Sequence, residues 1–314
     1  IILAIVAAYG LPMAKSAIKS LTSCSGVADT MGVLADVDLN AAKFQKYMRE
    51  NNGAIVNYDA MEETKVNHLL HDVRSQLGIN QNELVIASII AMMISSGVSH
   101  LVLDIPVGEN ARVRTANEAI RIRKQVEYIG DMLGLSIDVV ITDGSEPIGN
   151  GIGAVLEARD VMKVLQNTED APVDLKEKSL FLAGRVLEFD PQLRGGQGYA
   201  AAKEILESGR ALETFKKIVN SQGAKQVPNL GQYVREVVAP YDGVISAINN
   251  GAINKIGVYA GATQCIGSGL DLKKKTGDRV KAGEVLYVIY SCNAADFDVV
   301  SQLVEVDSGY SISI

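Results

Sequence analysis

Cysteine is scarce in this 314-residue chain: Cys24, Cys265 and Cys292 only, with no C-x-x-C spacing. An odd, widely spaced set argues against a disulfide framework and against a structural zinc site, and fits a reducing, cytoplasmic setting. Histidine is equally thin. His68 and His71 stand i, i+3 on an expected helix and His100 lies apart, so with no third ligand surface histidines are expected and no metal is assigned. Long basic runs are missing and the formal charge is −7. That excludes a protein built to grip a nucleic-acid backbone and leaves anion recognition to Lys19 and a few arginines. A membrane-spanning run is missing too. The apolar opening, Ile1 to Ala8, is too short to cross a bilayer and has no basic region ahead of it, so neither a membrane partner nor a signal peptide is expected. The chain starts without Met inside that buried-looking run, and residues upstream of it are expected.

What is present describes a globular chain: 47% apolar and 21% charged residues, enough for a large core and two domains. The stretch around which the rest is arranged is 18–29, Ile-Lys-Ser-Leu-Thr-Ser-Cys-Ser-Gly-Val-Ala-Asp. Hydroxyls and backbone N–H groups in a Gly-containing loop next to Lys19 are suited to ring a phosphate; the competing reading is a polar loop that caps the following helix. Cys24, within this loop, is expected to be a small buried residue rather than a nucleophile.

Periodicity gives the frame. Residues 1–9 read as a buried strand or helix. Residues 41–52 read as a helix stopped by Gly53, and 54–58 as a short strand. Helical spacing recurs over 60–77 and over the very apolar 83–96. A buried strand at 99–108, an amphipathic helix at 115–133, a strand at 136–142, a glycine-rich turn at 143–153 and a helix at 154–166 make an α/β pattern. In such folds ligands sit beyond the C-terminal ends of the strands, so the loops 18–29, 104–114 and 143–153 are possible neighbours. The glycines at 149–153 lack the dinucleotide spacing. Residues 178–187 and 200–220 read as helices, with Glu157 and Arg159 as structural ion-pairing residues of helix 154–166. Residues 223–232 form a linker. From Tyr233 onward the texture is β-rich, and the Gly277-Asp-Arg-Val-Lys-Ala-Gly-Glu284 turn resembles that of biotinyl and lipoyl barrel-sandwich domains. No Met-Lys attachment pair stands where a carrier needs one, so this domain reads as structural. The expected division is an α/β core over 1–78 and 99–222, a segment of a small all-α lobe at 79–98, and a C-terminal β-rich α+β domain at 233–314. The fold class is α/β, a central mixed sheet with flanking helices.

Taken together, 18–29, 84–89, Leu103-Asp-Ile-Pro-Val-Gly108, 139–149 with Leu156-Glu-Ala-Arg159, 202–209 and 277–284 resemble, in order and spacing, the thymidine/pyrimidine nucleoside phosphorylase family. The Asp104-Ile-Pro form is more like the type 2 branch that includes AMP phosphorylase, since the bacterial thymidine enzymes typically carry Val-Lys there. The resemblance implies a cleft between a helical lobe and an α/β lobe, and phosphorolysis of an N-glycosidic bond. The substrate would be a nucleoside 5′-monophosphate of the AMP kind, or alternatively thymidine or another pyrimidine nucleoside. It also implies phosphate as co-substrate, no organic cofactor, a possible potassium ion with unspecified ligands, and a homodimer or higher homo-oligomer. Carried over residue by residue, Lys19 stands where the branch has Arg, Ser20, Thr22 and Ser23 lie in the nucleotide-holding segment, Ser88 matches a base-facing serine, and Arg112 stands where a substrate-holding Lys is usual. Val27 replaces a Thr whose hydroxyl donates a hydrogen bond to phosphate, Asn80 falls at the proton-donating Asp, Met92 falls at a Lys, and the upstream Lys-His-Ser-x-Gly-Gly motif is absent. These departures imply a further alternative, a catalytically weakened nucleotide-binding relative.

Overall fold

The structure is a computed structural model that describes residues 1–20, 23–61, 86, 87, 90, 91, 93, 94 and 97–314. The apolar opening resolves as helix α1 (Ile2–Tyr9), with Leu3 to Ala7 all buried. A helix apolar all round belongs inside a core. It ends at Gly10, whose φ of 112° lets its N–H turn back to the carbonyls of Val6 and Ala7. Strand β1 (Met13–Ala17), which the sequence pattern did not announce, follows. After helix α2 (Val27–Gly32) comes α3 (Ala41–Asn51), capped by the Asn40 side chain accepting from the Lys43 N–H. Asn52, at φ 54°, stops α3, and Gly53 is already the first residue of β2 (Gly53–Asn57), which pairs parallel with β1.

Strand β3 (His100–Val107), helix α4 (Ala116–Leu133) and strand β4 (Ser136–Asp143) form a parallel unit in which Asp104 lies opposite Val140 and Pro106 opposite Thr142. Buried Ile105, Val113, Ala119, Ile122, Val126 and Val139 make its core. Two residues of the glycine-rich turn become a short strand, β5 (Gly151–Ile152), which feeds α5 (Ala154–Leu165). Helices α6 (Val173–Leu187), α7 (Gln197–Glu207) and α8 (Arg210–Ser221) then pack with α1 and α5 around the largest core. The single helix expected over 200–220 is two, because Ser208-Gly209 intervenes and Gly209 adopts φ 82°. The helices expected over 60–77 and 83–96 fall largely outside the described residues. Mixed α/β is therefore the fold class, with the parallel strands held as two pairs among the described residues.

Residues 222–232 carry no regular structure. Beyond them stand β6 (Tyr233–Val238), β7 (Gly243–Ile248), α9 (Asn250–Tyr259), β8 (Gly269–Leu272), β9 (Arg279–Val280), β10 (Val285–Ser291), α10 (Ala294–Val306) and β11 (Tyr310–Ser313). Two sheets, in orders β5-β8-β10-β6 and β11-β7-β9, enclose a separate core with Tyr287 at its centre. Since β5 joins the C-terminal sheet, Gly151 opposite Asp271, the two parts of the chain share a backbone ladder. Arg159 of α5 reinforces the join, donating to both oxygens of Asp271 at 2.8 Å and to Asp160 at 3.1 Å. The ion-pairing role expected of Arg159 is what it has.

The cysteines correct the sequence reading. Cys265 and Cys292 form a disulfide. The antiparallel register sets Gly269 opposite Tyr290, which brings the segments just outside both strands to the same end of the sheet. That register is a three-dimensional fact with no trace in the spacing. The odd count is thus one bridge plus one free, buried thiol, Cys24.

Candidate functional site

A cavity of about 540 Å³ opens at the C-terminal ends of β3 and β4, where a parallel pair offers its ligand-facing loops. One wall is strand and turn: residues 103–106, Ala111, Arg112, Val113 and the 143–148 turn. The others are Lys178 of α6, Glu157 of α5, the loop Ser23-Cys24-Ser25, and Asn250, Ile253 and Asn254 of α9. The two strand-end loops meet through glycine. A Cβ on Gly108 would stand 2.5 Å from the Gly144 carbonyl oxygen, so a side chain there would push the loops apart.

The polar floor is a triad. Lys178 Nζ lies 3.2 Å from Asp104 Oδ2 and donates to Thr142 Oγ1 at 3.0 Å, while that hydroxyl donates to Asp104 Oδ1 at 2.6 Å. Lys178 and Asp104 keep 22% and 23% side-chain exposure, so the pair is shielded but still open to a ligand. Asp143 lies close by. The Ser145 backbone N–H and hydroxyl, with Lys178 adding its charge, outweigh burial and hold that carboxyl below its usual range.

Several described backbone donors of the loop 18–29 are bonded to the protein. Asp29 accepts from the backbone N–H groups of Ser20 at 2.7 Å and Gly26 at 2.9 Å. The Ser23 N–H goes to Ser20 Oγ, the Cys24 N–H to Asn254 Oδ1 and the Ala28 N–H to the Ile18 carbonyl. These donors belong to protein acceptors. Glu157 anchors it, accepting from Ser25 Oγ at 2.5 Å, Thr30 Oγ1 at 2.7 Å and the Gly153 N–H at 3.2 Å. Glu157 thus holds hydroxyls and makes no ion pair among the described residues, contrary to the ion-pairing role expected of it. Cys24 is 4% exposed, and burial, with Glu157 nearby, pushes its thiol up to about 12. It stays protonated at neutral pH and is no nucleophile.

Of the residues singled out from sequence, Ser23 and Arg112 line the cavity. Ser20 supports Ser23 through a 2.5 Å hydroxyl contact. Lys19 is exposed, 3.5 Å from Asp38, and stands apart from the lining, as does Val27, the half-exposed first residue of α2. Thr22, Asn80, Ser88 and Met92 lie outside the described residues. Sequence reasoning missed Asp104, Lys178 and Asn254. Asp104 stood within a quoted motif, and Lys178 carried no signal that set it apart from the other cations of its helix. Asn254 gave none. Among the described residues no cluster of three or more His, Cys, Asp or Glu could hold a metal ion, and no helix is long and apolar enough to cross a membrane.

Residues 244–313 match the family model described as the pyrimidine nucleoside phosphorylase C-terminal domain. A curated relative from Rhodopseudomonas palustris, named "Putative thymidine phosphorylase", is 44% identical over 314 residues, covering 100% of this chain and 61% of its own. A Methylococcus capsulatus protein of the same name is 44% identical over 99% of this chain and 61% of its own. The chain therefore spans about three fifths of the length of these relatives. A solved anthranilate phosphoribosyltransferase from Saccharomyces cerevisiae, in complex with PRPP and Mg, overlaps 70% of this chain and 68% of its own at TM-score 0.49 and 18% identity, too distant a likeness to bear on function. Relatives named "Putative thymidine phosphorylase" thus match this chain along its whole length, and the pyrimidine nucleoside phosphorylase domain model matches its C-terminal part.

Proposed function

We propose that this cavity takes a pyrimidine nucleoside and inorganic phosphate and transfers the pentosyl group from base to phosphate. A phosphate oxygen attacks the anomeric carbon and the C–N bond breaks with its electron pair going to the base. The base gains a proton as the sugar 1-phosphate forms. The work asked of the protein is positioning and charge stabilisation. Arg112 and Lys178 are the described lining cations suited to the phosphate, and the apolar wall of Ile105, Val113, Ile148, Ile152 and Ile253 suits a flat base.

The observation that carries the reading is the charge of the lining. Among the described lining residues, Asp104, Asp143, Glu146 and Glu157 supply four carboxylates against the two cations Arg112 and Lys178. Lys178 is already spoken for by Asp104. One phosphate can be held there, but a second, on a nucleoside 5′-monophosphate, brings about two further negative charges into a carboxylate-rich space. A neutral nucleoside fits better, in keeping with the names of the relatives. The 5′-monophosphate reading, AMP-like, draws its support from the Asp104-Ile105-Pro106 form of β3 and from the cation kept at Arg112. A weakened nucleotide-binding relative is suggested by Val27, Asn80 and Met92.

The test is to incubate the protein with phosphate and, separately, thymidine, uridine, AMP, CMP and UMP, and to quantify free base chromatographically. Release from thymidine or uridine, abolished by Arg112→Ala, is the expected result. Release from the monophosphates alone overturns the nucleoside reading, and no release from any of them overturns phosphorolysis.

A further inference from the structure

Helix α9 belongs to the C-terminal domain, which the sequence presents as structural, yet one of its faces is a wall of the cavity. Asn250, Ile253 and Asn254 are spaced i, i+3 and i+4, so they share that face. Asn254 does more than line it. Its Oδ1 accepts the Cys24 backbone N–H at 3.1 Å, and its backbone carbonyl accepts from the Cys24 thiol at 3.2 Å. Three residues on, Gly257 leaves the space the sulfur fills: a Cβ there would stand 2.3 Å from Cys24 Sγ. Cys24 is therefore seated in a socket on α9, and it lines the cavity together with its neighbours Ser23 and Ser25. Glu157 holds the other flank of the same loop through Ser25 and Thr30. A buried N–H deprived of its acceptor must find another or move.

We propose that Asn254 is a positioning residue. By fixing Cys24 it sets where the Ser23 and Ser25 hydroxyls stand in the cavity, so that the C-terminal domain tunes the grip on phosphate. The identity of the ligand rests on the phosphorolysis reading; the socket does not.

Cys24 provides a readout independent of turnover. With Cys265 and Cys292 bonded to each other, it is the one free thiol of the chain. The experiment alkylates the protein with N-ethylmaleimide under non-reducing conditions, with and without saturating inorganic phosphate, and measures kcat and phosphate KM in parallel. Wild type should react slowly, and more slowly still with phosphate. Asn254→Ala should react about tenfold faster at an unchanged melting temperature, with phosphate KM raised about tenfold and kcat within about twofold. Asn254→Asp, which keeps an acceptor for the Cys24 N–H, should react as slowly as wild type, and Lys255→Ala, on the exposed side of α9, should change neither quantity. Should Asn254→Ala melt early, Asn254→Ser is the second variant and must show the same two shifts. Alkylation of the loosened variants within about twofold of wild type, or an exposed thiol with unchanged phosphate KM, overturns the proposal. If no nucleoside is split, the phosphorolysis reading fails by itself. Alkylation then decides the positioning role: phosphate protection that is strong in wild type and lost in Asn254→Ala supports it, and equal protection in both refutes it.

Discussion

Replacing Arg159 with Leu removes the one cation that bridges α5 and β8, and the structure says what that leaves behind. Asp271 keeps 5% side-chain exposure and Asp160 2%, so both carboxylates are buried. Asp160 retains the backbone N–H groups of Asn150 and Gly151, each at 2.6 Å. Asp271 retains only Lys273, at 2.7 Å, whose side chain is 46% exposed. Removing one partner of a buried pair costs about 3–5 kcal/mol, and Arg159, itself 30% exposed, places this case near 3 kcal/mol. The pH dependence has a definite sign. Burial would raise the Asp271 carboxyl, but the Arg159 and Lys273 hydrogen bonds outweigh it and hold the group below its ordinary 3.8. A depressed folded-state value adds stability that is present above the unfolded value and is lost as pH falls through the folded one. The variant forfeits that contribution, so the gap between wild type and Arg159→Leu should be widest near neutrality and shrink only as the pH falls below 3.8 through the depressed folded-state value. The chain has no tryptophan, so urea unfolding is followed by far-UV circular dichroism at several pH values. Combining Arg159→Leu with Asp271→Asn should recover part of the loss, because Asp271 then carries no stranded charge. A neutral-pH cost below about 1 kcal/mol, or a gap that does not change with pH, would refute the charge argument.

Two further outcomes follow from packing and from covalent closure. Gly257→Ala should destabilise by about 1–3 kcal/mol through overpacking against Cys24, and Cys24→Ala should relieve it, which a double-mutant cycle in urea would register as a favourable coupling. Reducing the Cys265–Cys292 bridge, 27 residues apart, should lower stability by about 3–4 kcal/mol from loop entropy alone; a thiol titration rising from one to three per chain, with no change in the unfolding midpoint, would contradict this.

The frame was legible where a single element carries its own signal. The helical and apolar periodicities and the Gly53 stop placed α3, β3, α4, β4 and α5 to within a few residues. Legibility failed where an element draws its reason from elsewhere. Met13-Ala-Lys-Ser-Ala17 is a strand because β2 pairs with it, not because its pattern alternates. Helices α9 and α10 hide between strands, each begun by an asparagine whose side chain accepts a backbone N–H three residues on, a signal that could have been read and was overshadowed by the β texture around it.

The site was harder to read because its contacts join residues that are remote in sequence. Ser25 and Glu157 are 132 positions apart, Cys24 and Asn254 are 230 apart, and no local period encodes either. The segments that carry the family resemblance nevertheless converge, since Ser23, Asp104, Arg112 and the 143–148 turn line one cavity. What it could not supply is the sign of the site. A loop rich in hydroxyls next to Lys19 looks like an anion cradle in one dimension. In three, several of its N–H groups are already used, Lys19 turns to Asp38, and the carboxylates Asp104, Asp143, Glu146 and Glu157 come together from a strand, a turn and a helix. The substrate argument therefore turns on charges that the fold assembles. The same assembly draws α9 of the C-terminal domain into the cavity, where it holds the loop that the sequence made prominent.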